Sequence, residues 1–168
     1  FRPLTVRVKR PGLQVRARKG YNAAKGRPPA GTAAPAGIAA SIAMREALDS
    51  PVPVTGLGMR AFAAPMMGAK PKASVLVVVE LEGPALKFKQ EGAQFVNNVE
   101  LAIVAMDEGG KIRDGAKDTA ELKLRPETHA LITKNGVRLT RRLELPPGNY
   151  QLRIGVRESV GGLLGSVM

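Results

Sequence analysis

Short runs in which apolar and polar residues alternate, separated by turns that contain Gly or Pro, recur along most of this chain. The clearest run extends from Ser74 to Glu82. Its residues on one face are Val75, Val77, Val79 and Leu81. The opposite face carries Leu76 and Val78, and apolar residues on both faces predict a central strand covered on both sides. Such strands bury their apolar faces by packing one sheet on another, so the pattern predicts a mainly β domain.

Further strands are predicted wherever the alternation resumes. They are Leu57–Ala63, Leu86–Lys89, Gln94–Val96, Asn98–Met106, Thr119–Leu124, Val137–Leu145, Tyr150–Arg157 and one that begins near Leu163. A helical turn is expected between Pro126 and Lys134, with Pro at its first position. Short strands at this spacing are typical of a β-sandwich or barrel. The residues predicted to share one core are Val75, Val77, Val79, Leu101, Ile103, Leu122, Leu143, Leu145, Leu152 and Ile154.

The N-terminal part has a different composition. Residues 4–18 alternate around Arg10-Pro11-Gly12, which predicts a hairpin with one apolar and one basic face. A segment rich in Gly, Pro and Ala follows (20–37), and a short helix is expected from Ile38 to Leu48 before Ser50-Pro51. We therefore expect three regions: a basic hairpin (1–21), a linker with one helix (22–51) and a sandwich (52–168). The chain opens with Phe1, and we expect it to be part of a longer protein whose sandwich continues beyond Met168.

The positive charge lies at one end of the chain. The net charge is +12, and residues 1–27 contain nine of the 26 Lys and Arg residues and none of the 14 Asp and Glu residues. The candidate partner-binding residues are Arg7, Lys9, Arg16, Arg18 and Lys19. Their face could contact an anionic lipid surface or an acidic protein, or it could be an ordinary solvated face. No nucleic-acid partner is expected, because no aromatic residues are interleaved with Arg7, Lys9, Arg16 and Arg18 and the chain has no known reading motif.

Catalytic and metal chemistry find little support in the sequence. There is no Cys, and His129 is the only His, so zinc, haem and triad chemistry lack their partners; we place His129 on an exposed turn. Asp107, Glu108, Asp114 and Asp118 lack the spacing of a calcium loop, and Gly109-Gly110-Lys111 lacks the pattern of a phosphate loop. We therefore expect no enzyme activity, no cofactor and no metal.

Two further features predict structure or contact. Tyr150 follows Pro146-Pro147-Gly148-Asn149, and a Tyr at such a corner of a Greek-key sandwich often donates to the backbone a few residues upstream. Met66-Met67 lies in a Pro- and Gly-rich segment. This pair could be an adaptable contact for a partner, although such a pair more often covers a sheet edge.

Three segments resemble the C-terminal region of VWFA-related proteins of the acidobacterial type. They are residues 7–21, Lys72-Ala73-Ser74-Val75-Leu76-Val77-Val78-Val79-Glu80, and Leu143-Glu144-Leu145-Pro146-Pro147-Gly148-Asn149-Tyr150-Gln151-Leu152-Arg153. The resemblance implies that residues 1–21 end a von Willebrand factor A-like domain and that an immunoglobulin-like Greek-key sandwich follows. The Asp-x-Ser-x-Ser metal motif of A domains does not occur in this sequence, so metal-dependent adhesion is not implied.

These features favour a non-catalytic interaction or scaffold module of a bacterial envelope protein, located in the periplasm or cell envelope. One alternative is an accessory subunit docked on the periplasmic face of an electron-transfer or photosynthetic membrane complex. Another is a module that binds anionic surfaces. A protein partner is expected in the first two cases.

Overall fold

The computed structural model of the chain describes residues 2–3, 20–21 and 41–168. The chain divides into two units, Phe1–Thr32 and Ala33–Met168. In the first unit, β1 (Arg2–Pro3) pairs antiparallel with β2 (Gly20–Tyr21). The hairpin predicted over residues 4–18 and most of the predicted linker lie outside the described residues.

The second unit is built mainly from antiparallel strands. Its strands are β3 (Met59–Met66), β4 (Ala73–Leu81), β5 (Lys89–Glu91), β6 (Gln94–Asp107), β7 (Ile112–Leu124), β8 (Val137–Leu145), β9 (Tyr150–Glu158) and β10 (Leu164–Val167). It also contains the helices α1 (Ile42–Asp49) and α2 (Pro126–Asn135) and a 3-10 turn at Gly83–Ala85. The described helices include none that is long and apolar enough to cross a bilayer.

The strands form two sheets that share one core. The three-stranded sheet has the order β3-β4-β8. In the other sheet β6 pairs with β5, β7 and β9, and β9 pairs with β10. The residues of this core that are buried are Leu57, Val77, Val79, Leu81, Leu86, Val99, Leu101, Ile103, Ala105, Leu143, Leu145, Ile154 and Val156. All ten predicted core residues are confirmed, since Val75, Leu122 and Leu152 are partly buried against the same cluster.

Helix α1 covers the other face of the larger sheet. It begins at Ile42, after Ser41, whose Oγ accepts a hydrogen bond from the N–H of Met44 at 3.4 Å. Met44 and Leu48 pack on Ala102 and Val104 of β6. A Cβ atom at position 155 would lie 2.4 Å from Sδ of Met44, so Gly155 allows the helix to lie close to the sheet. The sequence predicted that this helix begins at Ile38, four residues earlier, within the linker region.

The connections between the strands contain the predicted turn residues. The hydroxyl of Tyr150 donates to the carbonyl of Pro146 at 2.9 Å, which confirms the predicted tyrosine corner. Gly136 ends α2 with φ 80°, and a Cβ atom there would lie 2.2 Å from the carbonyl oxygen of Leu81. Only Gly fits this junction, because both its positive φ and the backbone contact exclude a side chain.

Strand β4 is central in its sheet, as predicted, but only one of its faces is covered by described residues. Val77 and Val79 are buried in the core, whereas Leu76 and Val78 on the opposite face are half-buried. The prediction that both faces are covered is therefore not met within residues 41–168. An apolar residue on a strand indicates that a face is apolar, and it does not identify what lies over that face.

Candidate functional site

The five cations proposed as a partner-binding site lie outside the described residues. These are Arg7, Lys9, Arg16, Arg18 and Lys19, and their role stays a prediction. The candidate site that the described residues offer is the outer face of the three-stranded sheet, meaning the face that points away from the shared core.

The register of the strands places the side chains of the outer face in rows. One row joins Phe62 of β3, Val78 of β4 and Thr140 of β8. The next row joins Ala64, Leu76 and Arg142. In these two rows the outer face is apolar on β3 and β4 and polar on β8.

Strand β3 has the most exposed apolar surface of this sheet. All five residues from Phe62 to Met66 are exposed, on both faces of the strand. The side chains of Phe62 and Met66 are 58% and 45% exposed, and Met67 in the following turn is 98% exposed. A continuous apolar stretch of this kind, next to polar residues, is typical of an interaction surface.

Basic residues surround this apolar stretch. The segment 59–79 contains Arg60, Lys70 and Lys72 and has no Asp or Glu. Arg60 lies in the row Arg60–Glu80–Arg138, and Nε of Arg138 donates to Oε1 of Glu80 at 3.0 Å. Arg142 lies beside Leu76. Within residues 41–168, neither Arg60, Lys70, Lys72 nor Arg142 has an acidic partner within ion-pair distance.

The two edges of this sheet differ in how they are protected. At the β8 edge, Oδ2 of Asp114 accepts from the N–H of Glu144 at 2.9 Å. Arg141 donates to Asp118 of β7 and to the carbonyl of Thr140. These bonds occupy polar groups at that edge, and the exposed residues of β8 are all polar or charged. In the part of the chain that the structure describes, β3 pairs with no strand other than β4, and its exposed stretch has no charge after Arg60.

The carboxylates considered for calcium are dispersed over separate partners. Asp107 accepts from the N–H of Lys111 and from Arg113, and these bonds hold its pKa below the ordinary value. Glu108 accepts from Asn149, and Asp118 pairs with Arg141. Among the described residues, no three His, Cys, Asp or Glu side chains converge on a point that could hold a metal ion.

His129 is placed differently from the prediction. It lies within α2 rather than on an exposed turn, and its ring stacks on Phe95 with the ring centres 3.9 Å apart. Phe88 meets the same ring edge-on at 4.9 Å. The three rings attach α2 to the end of β6, so His129 has a packing role here.

Glu158 is a residue that the sequence analysis missed. It is fully buried, and it accepts hydrogen bonds from Nδ2 of Asn97 and from the N–H groups of Val160, Gly161 and Leu163. Burial alone would raise the pKa of Glu158, but these hydrogen bonds outweigh that effect and the pKa lies below its ordinary value. The sequence signal was a Glu at a core-facing end of an alternating strand, followed by a Gly-Gly turn.

Two open clefts lie beside these features. One, of about 530 Å³, is lined by Arg60, Glu80, Glu82, Asn135 and Arg138 at one end of the outer face. The other, of about 550 Å³, lies between the Asp107–Gly109 turn and the Pro146–Tyr150 corner. Both are bordered by charged or polar groups that already bond one another, such as Glu80 with Arg138 and Glu108 with Asn149.

No protein-family model matches this chain, and no curated protein or solved structure is significantly similar to it, so its function is inferred from the contacts and charges described above.

Proposed function

We propose that this chain is a non-catalytic protein-interaction or scaffold module of a bacterial envelope protein. The observation that carries the proposal is the exposed apolar stretch Phe62–Met66 of β3, at the edge of the three-stranded sheet. The other exposed large apolar residues of the described chain occur singly, at Ile42, Val52, Leu131, Val160 and Met168. Single exposed apolar residues need no partner, whereas a continuous apolar stretch with a polar rim favours one.

The proposed domain type is an immunoglobulin-like Greek-key sandwich. Apart from the short β5, the body has seven strands, and the first, second and fifth of them (β3, β4 and β8) form one sheet. The third, sixth and seventh strands (β6, β9 and β10) are neighbours in the other sheet. This distribution supports the proposal because immunoglobulin-like sandwiches divide their strands in the same way. The fourth strand, β7, lies beside β6, in the position that the variable type uses for an additional strand.

The tyrosine corner gives independent support for this domain type. Tyr150 begins the sixth strand and donates to Pro146, four residues upstream, which is the position expected for the corner between the fifth and sixth strands. The resemblance of three segments to VWFA-related proteins leads to the further proposal that the sandwich follows an A-like domain. The envelope location is part of the same proposal, and cell fractionation of the source bacterium tests it.

The test of the interaction role is quantitative co-purification of the full-length, tagged protein. Phe62→Glu places a charge in the apolar stretch and should remove the partner, because an unpaired charge is costly to bury in an interface. Leu131→Glu is the matched control, since Leu131 is 60% exposed and lies on α2, away from the outer face. A partner that both variants retain, or both lose, would contradict the proposal.

The identity of the co-purified proteins distinguishes two forms of the proposal. Subunits of an electron-transfer or photosynthetic complex would favour an accessory subunit docked on the periplasmic face of that complex. Other envelope proteins would favour a scaffold module.

A further inference from the structure

We propose that the free edge of β3 binds an extended, acidic segment of a partner protein, which adds to the three-stranded sheet as a fourth strand. This inference rests on the proposed interaction function and specifies its mode and the chemistry of the partner. Strand addition to an exposed sheet edge is a recurrent mode of peptide recognition, in which main-chain hydrogen bonds supply affinity and alternate side chains supply specificity.

The two edges of the same sheet differ in how well they are protected. An unpaired edge presents free N–H and C=O groups, and proteins normally protect it with charge, Pro, bulges or a covering element. The β8 edge has such protection, because Asp114 accepts from the N–H of Glu144 and Arg141 donates to the carbonyl of Thr140. The β3 edge presents Phe62, Ala63, Ala64, Pro65 and Met66 to solvent. Among these five residues Pro65 alone protects the edge, so the β3 edge is less protected than the β8 edge and favours a strand that occupies it.

The geometry of β3 also suits an added strand. Pro is tolerated in an edge strand where its nitrogen faces away from the neighbouring strand. Main-chain groups alternate between the two sides of a strand, so Ala61 and Ala63 direct their N–H and C=O groups to the same side as the nitrogen of Pro65. These groups then point to the free edge, where an added strand can bond them.

The charge around the β3 edge selects the occupant. Arg60 lies at one end of the exposed stretch, and Lys70 and Lys72 lie in the turn at the other end, with no acid in the segment 59–79. An antiparallel pairing of β3 with β3 of a second copy would place Arg60 of each chain near the Lys70 and Lys72 turn of the other. Like charges would meet at both ends, so a second copy is disfavoured and an acidic segment is favoured. Apolar side chains of the added strand would cover Phe62 and Met66.

The test is fluorescence anisotropy with two labelled peptides and the full chain. One peptide alternates valine and glutamate over eight residues, and the other alternates valine and lysine. We expect the glutamate peptide to bind at least tenfold more tightly at low salt and to weaken as salt is added. A glutamate peptide with N-methylated backbone should lose at least tenfold in affinity, because it cannot complete the ladder of hydrogen bonds.

Variants at one position of the protein separate edge pairing from general stickiness. Ala63→Pro removes an N–H that points to the free edge and should reduce binding of the glutamate peptide at least tenfold. Ala63→Val keeps that N–H and favours the strand, so it should bind at least as well as the wild type. Circular dichroism and the unfolding midpoint show whether both variants are folded. If Ala63→Pro does not fold, the N-methylated peptide decides the question with the wild-type protein.

Several results would overturn the inference. These are equal binding of the two peptides, binding of neither, or full binding by folded Ala63→Pro. A wild-type dimer that Ala63→Pro abolishes would identify a second copy as the occupant, and binding to anionic vesicles that persists in Ala63→Pro would identify a lipid surface. If the peptides fail while Phe62→Glu still loses its co-purified partner, the interaction function stands and only the strand-addition mode is wrong.

Discussion

Nδ2 of Asn97 donates to the carboxylate of Glu158 at 3.0 Å, and both side chains are buried where β6 meets the end of β9. The same carboxylate accepts hydrogen bonds from three backbone N–H groups of the loop that leads into β10. A charge buried without an opposite charge is costly unless hydrogen bonds replace those of water, and here four bonds do so. One side chain thus fixes the β9–β10 turn.

Replacement of Glu158 by Gln should destabilise the domain by about 1–3 kcal/mol, because the amide group turns a donor toward backbone N–H groups. Urea unfolding of both proteins measures the difference. Glu121→Gln is the control. The Glu121 side chain is 69% exposed, so loss of its charge should change the free energy of unfolding little. Equal stability of Glu158→Gln and the wild type would refute the assigned role.

The stabilisation by Glu158 should depend on pH. Its pKa is lowered in the folded protein, whereas in the unfolded chain it returns to about 4.3. The unfolded state therefore binds more protons in acid, so this contribution is present above about pH 4.3 and is lost as the pH falls through the folded pKa. The difference in unfolding free energy between the wild type and Glu158→Gln should shrink in that range. A difference that is constant down to about pH 3 would contradict this assignment.

The shared core should respond strongly to small cavities. Val77→Ala and Ile154→Ala should each cost about 1–4 kcal/mol, because Val77 is completely buried and Ile154 is 4% exposed. Leu131→Ala, at an exposed position on α2, should change stability by less than about 0.5 kcal/mol. Chemical unfolding of the three variants measures these losses of unfolding free energy and shows whether the two core variants lose more than Leu131→Ala. Similar losses for all three would argue against this core.

Gly136 should be far less tolerant of substitution than Gly92. Both have positive φ, at 80° and 59°, so backbone strain alone makes Ala cost about 1–3 kcal/mol at either position. A Cβ atom at position 136 would also lie 2.2 Å from the carbonyl oxygen of Leu81, whereas position 92 is open. Gly136→Ala should therefore have the lower melting temperature. Equal melting temperatures would show that α2 does not meet β4 in this way.

The core could be predicted from the sequence, because alternation with a period of two assigns Val77, Leu101 and Ile154 to one side of their strands whatever the order of the sheet. The tyrosine corner could be predicted for a similar reason, since Tyr150 and Pro146 are only four residues apart. Both features depend on local spacing, which the sequence displays directly.

The outer face and the position of α1 could not be predicted in this way. Val78 and Ala102 are both apolar residues on the second face of a central strand, yet Ala102 is covered by Met44 and Val78 is left half-buried. Which face receives the helix depends on contacts between residues far apart in sequence, such as the close approach of Met44 to Gly155. Of the exposed stretch from Phe62 to Met66, only Met66 was recognised from the sequence as a possible contact, because β3 was predicted to end at Ala63.

Site-specific photo-crosslinking is the most direct test of the claim that the outer face and its β3 edge form a docking surface. A benzoylphenylalanine residue replaces Phe62 in the full-length protein in its native cells, and the same residue replaces Leu131 in a parallel strain. The account predicts that position 62 forms a discrete adduct with a partner protein and that position 131 does not. The same adducts from both positions, or none from position 62, would contradict it.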